Sequence, residues 1–198
     1  QHAQNTIITI LHNNDGESQL INAGEGLEEF GGVARFASAV EKARFDARQK
    51  GNLPILLSSG DNFLAGPEFN ASLTLGTFFD AKAIGLLDYQ ALALGNHDFD
   101  NGLDGLKSQL PFANFPFLCA NYDFSDSILN GQFKPYKIFK KAGIKIGVFG
   151  IGIQLDGLVP KSLYGNTIYH NPITKSNYYA SHINRLIEPT EGTVLVDG

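Results

Sequence analysis

The stretch Ala91-Leu92-Ala93-Leu94-Gly95-Asn96-His97-Asp98 decides how the rest of the chain is interpreted. Its four apolar residues predict a short buried strand, and the glycine that follows marks the strand end. An amide, an imidazole and a carboxylate then come at successive positions, so three polar groups of different chemistry gather at one strand tip. This is where α/β proteins place their ligand sites.

Two earlier segments have the same arrangement of an apolar run followed by polar residues. The run 6–11 leads into Asp15 and Glu17, and the run 53–57 leads into Asp61 and Asn62. If these strands run parallel, their carboxyl ends converge on one edge of the sheet. Oxygen and imidazole ligands gathered at that edge suit hard or borderline divalent metals. The sequence therefore predicts a metal site assembled from three distant stretches.

Four blocks of the sequence resemble the calcineurin-like metallophosphoesterases, and among them the N-terminal catalytic domain of the 5′-nucleotidase and UDP-sugar hydrolase group. The blocks are 8–15, 31–35, 59–62 and 95–98, and their order, spacing and strand context agree from about Ile7 to Gly152. The resemblance implies an α/β fold with a four-layer αββα sandwich of two mixed sheets, truncated in its second sheet.

The resemblance also implies a role for each polar residue at the strand tips. Asp15 would bind a first metal ion, Asp61 would bridge both ions, and Asn96 would bind the second ion through its side-chain oxygen. Two divalent ions (Mn, Zn, Mg or Ca) would stabilise an attacking hydroxide and the phosphoryl oxygens together. His97 would supply a proton or positive charge, with Asp98 orienting its ring. Both His97 and Asp98 are thus expected to be catalytic.

The sequence departs from this family pattern at two places. The family has Asp-x-His in the first block, where this chain has Asp15-Gly16-Glu17. If Glu17 points at the metal, the site becomes harder and favours Mn²⁺, Mg²⁺ or Ca²⁺ over Zn²⁺; if it points away, the site lacks one ligand. The family also has a later Gly-His-x-His block, which this sequence lacks. Ser181-His182 is the candidate for a preceding Ser-His pair, but its surroundings favour a helix.

Three functional interpretations remain open. In the first interpretation, which the resemblance implies, the chain is a hydrolase of the 5′-nucleotidase-like phosphomonoesterase type that acts on a small phosphate ester or nucleotide, with Asn62 and Asn121 as candidate substrate contacts. Alternatively, it is a non-catalytic binding or structural module that retains the fold with an incomplete metal site. In the third interpretation it is a fragment, whose missing ligands and C-terminal substrate-binding domain belong to the same protein.

Length and composition limit these interpretations. The 198 residues, 43% of them hydrophobic, predict a single domain on size alone. The resemblance implies that this domain, over 1–198, is a partial metallophosphoesterase domain. A net charge of −5 argues against nucleic-acid binding, and no apolar run is long enough to span a membrane. Cys119 is the only cysteine and lies in an apolar run, so burial is expected. Residues 1–5 are interpreted as a disordered or processed terminus, which favours a secreted, periplasmic or cell-surface protein.

The remaining patterns predict strands that alternate with helices, which indicates the α/β class with a parallel core. Predicted helices cover 32–50, 72–88, 99–110 and 173–186. Predicted strands cover 6–11, 53–57, 91–94, 117–120, 133–139, 145–151 and 193–196, with a loop over 18–30 that rims the site and an irregular segment over 155–171. In the second helix, Leu75, Phe78, Phe79 and Leu86 are expected to face inward.

Overall fold

A computed structural model describes residues 6–64 and 66–187 of the chain. Its centre is a parallel sheet of four strands in the order β1 (Ile8–Asn13), β2 (Leu53–Ser58), β3 (Ala91–Ala93) and β4 (Phe117–Leu118). Because all four strands run parallel, their carboxyl ends lie along one edge of the sheet. The predicted α/β class with a parallel core is confirmed.

Helices connect these strands. The helix α1 (Val33–Gln49) follows β1, α2 (Pro67–Leu75) and α3 (Phe79–Gly85) follow β2, and α4 (Gly102–Gln109) follows β3. Two short 3₁₀ turns, His97–Phe99 and Leu110–Phe112, flank α4. The helix predicted over 32–50 is therefore confirmed to within a residue at each end, whereas the helix predicted over 99–110 begins later and closes with a 3₁₀ turn.

The single helix predicted over 72–88 is wrong. Gly76 takes a left-handed conformation with φ 62° and ends α2, and the chain restarts as α3 three residues later. The expected inward face is lost with this break. Phe78 is buried, but Leu75, Phe79 and Leu86 are exposed, because one helical periodicity does not continue across the two helices.

The second half of the chain consists of β5 (Tyr122–Asp123), β6 (Tyr136–Lys141), β7 (Ile144–Phe149), α5 (Lys161–Tyr164), β8 (Ile168–Tyr169) and α6 (Pro172–Leu186). Strands β6 and β7 form an antiparallel hairpin, and β5 pairs antiparallel with β8. The expected second sheet is thus represented by two separate pairs. The segment 155–171, expected to be irregular, contains α5 and β8. The strand predicted over 193–196 and the terminus 1–5 lie outside the described residues.

The core lies against the central sheet and is rich in phenylalanine. Leu56 and Leu92 of the sheet pack with Phe63, Phe99 and Phe117, all of which are buried. Cys119 is also buried and unpaired, as expected from the sequence. Among the described residues, no helix combines the length and the apolar character that crossing a membrane requires.

Candidate metal and phosphate site

The loops that follow β1 and β2 are joined by backbone hydrogen bonds. The backbone nitrogens of Asp15, Glu17 and Ser18 donate to the carbonyl oxygens of Gly60, Asp61 and Asn62 at 3.1, 3.0 and 2.9 Å, respectively. Asp15 and Asp61 both have φ of 52°, a left-handed conformation that an aspartate tolerates better than most residues. Two acidic residues, distant in sequence, are therefore held on adjoining loops with their backbones in a strained conformation.

The tip of β3 packs directly on Asp61. The backbone nitrogen of His97 donates to Asp61 Oδ1 at 2.7 Å. A Cβ atom on Gly95 would lie 2.2 Å from that same oxygen, and one on Gly60 would lie 2.5 Å from Gly95 N. Both positions therefore require glycine, which explains physically why the two polar blocks carry glycine before their functional residues.

The electrostatics of Asp61 favour a nearby cation. Burial raises the pKa of Asp61, and the negative charges of Asp15 and Asp100 raise it further, although the hydrogen bond from His97 N acts in the opposite direction. Two carboxylates in mutual repulsion are stabilised by a positive ion between them. The structure brings together, at this edge of the sheet, Asp15, Asp61 and the β3 tip that carries Asn96. The sequence predicted this convergence.

The donor set in this chain fits part of a divalent metal site. Asp15 and Asp61 offer carboxylate oxygens and Asn96 offers an amide oxygen, the ligand types that hard cations prefer. Within residues 6–64 and 66–187, however, no group of three or more His, Cys, Asp or Glu side chains is arranged to hold a metal by itself.

His97 is paired with Asp100. Its Nδ1 lies 3.1 Å from Asp100 Oδ2, and both side chains are partly exposed. Burial by itself would lower the pKa of His97, but the hydrogen bond and charge of Asp100, together with the charges of Asp61 and Glu17, raise it overall. His97 is thus held in one orientation and is more readily protonated than a free histidine.

Asp98 does not have the orienting role that the sequence analysis expected. Asp98 is buried, and its Oδ2 accepts a hydrogen bond from Gly95 N at 2.7 Å, so it closes the turn after β3 instead of contacting the His97 ring. Burial raises the pKa of Asp98 to about 7. Asp100 was absent from the sequence-based prediction. Its spacing of three from His97 was the available signal, because residues three apart share one face of a helical turn.

The other predicted site residues have varied environments. Glu17 is exposed and has φ of 47°. Asn62 is buried, with its amide bonded to Asn13 and Ser58. Asn121 is fully buried, and its amide makes two hydrogen bonds of 2.8 Å with the backbone of Gly152. Asn121 therefore uses its side chain internally, whereas Asn62 also borders a cavity beside the strand tips, and its contact with a substrate stays a prediction.

A cavity of about 440 Å³ adjoins the strand tips on the side of α1. Asp15 and Ser18 form part of its wall, and Phe36, Asp80 and Tyr89 form another part. Asp80 is fully buried and neither of its carboxylate oxygens has a hydrogen-bond partner within the described part of the chain. Ser18 Oγ accepts a hydrogen bond from Leu64 N at 2.9 Å.

His182 lies on the helix α6, as its surroundings predicted, and its Nε2 is 3.2 Å from the Tyr136 hydroxyl.

Sequence comparison identifies relatives that are longer than this chain. No protein-family model matches it. The chain is 39% identical over 145 residues to a 5′-nucleotidase of Vibrio cholerae, a match that covers 73% of this chain and 25% of the relative. It is 32% identical over 183 residues to protein UshA of Yersinia enterocolitica, covering 92% of this chain and 32% of that protein. The chain thus spans about a quarter to a third of the length of these curated relatives.

Solved structures agree in fold. The NAD nucleotidase of Haemophilus influenzae matches with a TM-score of 0.73 and 26% identity, over 89% of this chain and 32% of the other. A 5′-nucleotidase precursor of Thermus thermophilus matches with a TM-score of 0.71 and 26% identity, over 89% of this chain and 34% of the other. The calcineurin-like phosphoesterase YfkN of Bacillus subtilis, at 22% identity and a TM-score of 0.72, supports the fold alone.

Proposed function

Because the chain belongs to the calcineurin-like metallophosphoesterases and resembles the N-terminal domain of their 5′-nucleotidase group, we propose that it is the catalytic part of a metal-dependent phosphoester hydrolase. Its substrate would be a nucleotide or another phosphate monoester. The observation that carries this proposal is the convergence of Asp15 and Asp61 on adjoining loops, with His97 tied to Asp61 by its backbone nitrogen.

The metal ligands in this chain would be Asp15, Asp61 and Asn96, with Asp61 shared between two divalent ions. Glu17 is a further candidate for the first ion. The remaining donors would come from other parts of the full-length protein, which also would contribute a substrate-binding domain. When bound, the ions supply positive charge that stabilises the nucleophile and the phosphoryl oxygens. An oxygen-rich donor set favours Mn²⁺, Mg²⁺ or Ca²⁺, while Zn²⁺ would depend on added histidines.

His97 would hold and deliver a proton. Its Nδ1 is engaged by Asp100, so its Nε2 is the nitrogen left to donate to the leaving-group oxygen. The raised pKa of His97 increases its protonated fraction near neutral pH, which suits a general acid. The same positive charge would favour the transition state, in which negative charge develops on the leaving oxygen.

The first test uses the full-length protein supplied with Mn²⁺ or Zn²⁺ and p-nitrophenyl phosphate or a nucleoside monophosphate. Asp61→Ala should abolish metal uptake, and His97→Ala should reduce turnover about 10²- to 10⁴-fold while metal stays bound. Asp88→Ala is the matched control, because exposed Asp88 has φ of 53°, close to the 52° of Asp61, and therefore imposes the same backbone penalty. Equal activity in the parent and both site variants would reject these roles.

A non-catalytic binding module is the second candidate. Two observations favour it: the described residues lack a complete group of metal-binding side chains, and Glu17 stands where the family has an imidazole. Titration calorimetry separates the two functions. Absence of divalent-metal uptake by the folded full-length protein would support the binding module, and uptake with hydrolysis would support the enzyme.

We also propose that the protein is exported to the periplasm, the cell surface or the medium. The chain is 36% identical over 157 residues to a protein named as the snake venom 5′-nucleotidase of Crotalus adamanteus. Fractionation of cells that produce the full-length protein tests this proposal. Recovery only in the cytosolic fraction would contradict it.

A further inference from the structure

A chain of side-chain hydrogen bonds joins the ends of β1 and β2 to the residues before β3. The Tyr89 hydroxyl donates to Asn13 Oδ1 at 2.7 Å, and Asn13 Nδ2 donates to Asn62 Oδ1 at 3.0 Å. Asn62 Nδ2 in turn donates to Ser58 Oγ at 2.7 Å. We call these four residues the strand-tip network. None of its side chains is required by the hydrolytic roles assigned above.

The hydrogen bonds of the network all run in one direction, from Tyr89 to Ser58. The orientation of each side chain therefore depends on its neighbours in the network. Burial raises the pKa of Tyr89, so its hydroxyl stays protonated and donates. Reversing the amide of Asn13 would set its nitrogen against the Tyr89 hydroxyl and its oxygen against Asn62 Oδ1. Tyr89 and Asn62 are only 4% and 3% exposed, so both side chains depend mainly on partners within the protein. A buried group left unpaired costs about 1–3 kcal/mol.

The position of the network relates it to the two acidic loops. Asn13 precedes Asp15 by two residues, and Asn62 directly follows Asp61. A Cβ atom on Gly16 would lie 3.0 Å from Asn62 Oδ1, so the first loop packs closely over this amide. The network and the backbone hydrogen bonds between the loops therefore act on the same short segments.

The strand that precedes Asp15 needs such support. In the sheet order, β1 is at the edge, and none of its six residues is fully buried. Core packing therefore fixes the end of β1 less firmly than the end of β2, where Ile55, Leu56 and Ser58 are buried. The carboxylate of Asp15 consequently depends on polar contacts for its placement relative to Asp61.

We propose that Tyr89, Asn13 and Asn62 are positioning residues that fix the loop of Asp15 against the loop of Asp61, and thereby set the spacing of the two carboxylates. The consequence for metal affinity rests on the proposed function. The consequence for the loops themselves does not, because it concerns the hydrogen bonds that hold them.

The decisive variant is Tyr89→Phe in the full-length protein. It removes one oxygen, keeps the ring that packs on Phe115, and leaves Asn13 Oδ1 without its donor. Native-state hydrogen exchange should become about tenfold faster at the amides of the first acidic loop, those of Asp15, Glu17 and Ser18, because their partners are no longer held in place. The affinity for Mn²⁺, measured by calorimetry, should fall about tenfold.

Tyr122→Phe is the matched control. Tyr122 is also buried, and its hydroxyl donates to the carbonyl oxygen of Ile153, away from the strand-tip network. This variant should lose a comparable amount of thermal stability, but it should leave the exchange of the three loop amides and the Mn²⁺ affinity unchanged. Unchanged exchange in Tyr89→Phe, or the same acceleration in Tyr122→Phe, would overturn the positioning role.

The parent protein and a second variant complete the test. If the parent takes up no Mn²⁺, the proposed function fails, while the exchange comparison still decides whether the network positions the loop. Asn62→Ala should also accelerate exchange at the three amides. In the double variant with Tyr89→Phe, the acceleration of exchange should be smaller than the product of the two single-variant accelerations, because the residues belong to one network. A full multiplicative effect would contradict the proposal that they act as a unit.

Discussion

Two regions of this chain are built in different ways: the strand-tip region, residues 8–118, and the hairpin region, residues 119–187. Among the described non-glycine residues, five have positive φ in the first region, and all five are polar: Asp15, Glu17, Ser18, Asp61 and Asp88. The second region has one, Ala142, at the tight turn between β6 and β7. Four of these five residues, all but Asp88, lie on the two loops that carry Asp15 and Asp61, as expected where a fold holds functional groups in unfavourable conformations.

The two regions also differ in how they are stabilised. The strand-tip region buries Asp80 and Asp98, whose carboxylates are not fully paired within the described chain. Within the described hairpin region the buried side-chain atom without a partner is the neutral hydroxyl of Thr167. Tyr136 there packs against Tyr179 and His182, with ring centroids 5.9 and 5.4 Å apart. We infer that the first region gives up stability to create its site, whereas the second region serves as a support.

The largest expected difference between the regions comes from the same substitution made in each. Gly95→Ala places a Cβ 2.2 Å from Asp61 Oδ1, and Gly147→Ala places one 2.2 Å from Ile183 Cγ2. Both changes should lower the unfolding free energy, by up to about 3 kcal/mol. Only Gly95→Ala should abolish Mn²⁺ uptake, because it displaces the carboxylate.

Thermal unfolding and calorimetry on both glycine variants check this expectation. Normal metal uptake in a folded Gly95→Ala protein would mean that the site tolerates movement of Asp61. Loss of uptake in Gly147→Ala would mean that the hairpin region is part of the site. Either result would break the proposed division between the two regions.

The next effect concerns the pH dependence of turnover. Asp100 raises the pKa of His97 by its hydrogen bond and its charge. In Asp100→Asn the pKa of His97 should therefore fall, and the alkaline limb of the pH–rate profile should move to lower pH, since the general acid loses its proton earlier. Turnover at neutral pH should drop about tenfold, less than in His97→Ala.

Asp98→Asn is the comparison variant for this profile. Its side chain can still accept from Gly95 N, and it does not bond to His97. The alkaline limb should therefore shift more in Asp100→Asn than in Asp98→Asn. A larger shift in Asp98→Asn would return the orienting role to Asp98.

A smaller effect, with the opposite sign, is expected at Asp80. Burial raises the pKa of Asp80 above its ordinary value in the folded state. The folded protein is therefore favoured while Asp80 is protonated, below the unfolded pKa, and loses that advantage as pH rises through the folded pKa. Asp80→Asn removes the ionisation and should therefore stabilise the protein at pH 7.

Chemical denaturation at several pH values measures this gain. The difference between Asp80→Asn and the parent should shrink as pH falls and vanish below about pH 4, where an unfolded aspartate is also protonated. A gain of the same size at every pH would point to packing and would contradict an ionisation penalty.

The sequence predicted those parts of the fold and site that depend on local pattern. Apolar runs predicted β1, β2 and β3, and the polar residues behind them predicted the edge where Asp15 and Asp61 meet. These predictions succeed because a buried parallel strand has a strong local signature and its carboxyl end has a fixed place in the sheet.

The parts that depend on distant register could not be predicted in this way. Asn13 and Tyr89 are 76 positions apart, and their hydrogen bond exists only because of how the strands pair. The pairing of His97 with Asp100 depends on a 3₁₀ turn over His97–Phe99, where the sequence predicted only the start of a helix at residue 99. The break at Gly76 was hidden because the apolar residues on either side continue a helical spacing by chance.

The smallest expected effect lies in the hairpin region, at the start of α6. Asn171 Oδ1 accepts a hydrogen bond from Thr174 N at 3.0 Å and caps this helix. Asn171→Ala should lower the unfolding free energy by about 1 kcal/mol. Because α6 packs on β7 in the hairpin region, Mn²⁺ affinity and the pH–rate profile should stay unchanged. A small loss of stability should leave a preorganised site intact at temperatures below the unfolding transition. A change in the Mn²⁺ affinity or in the pH–rate profile of Asn171→Ala would therefore show that the hairpin region does more than support the sheet.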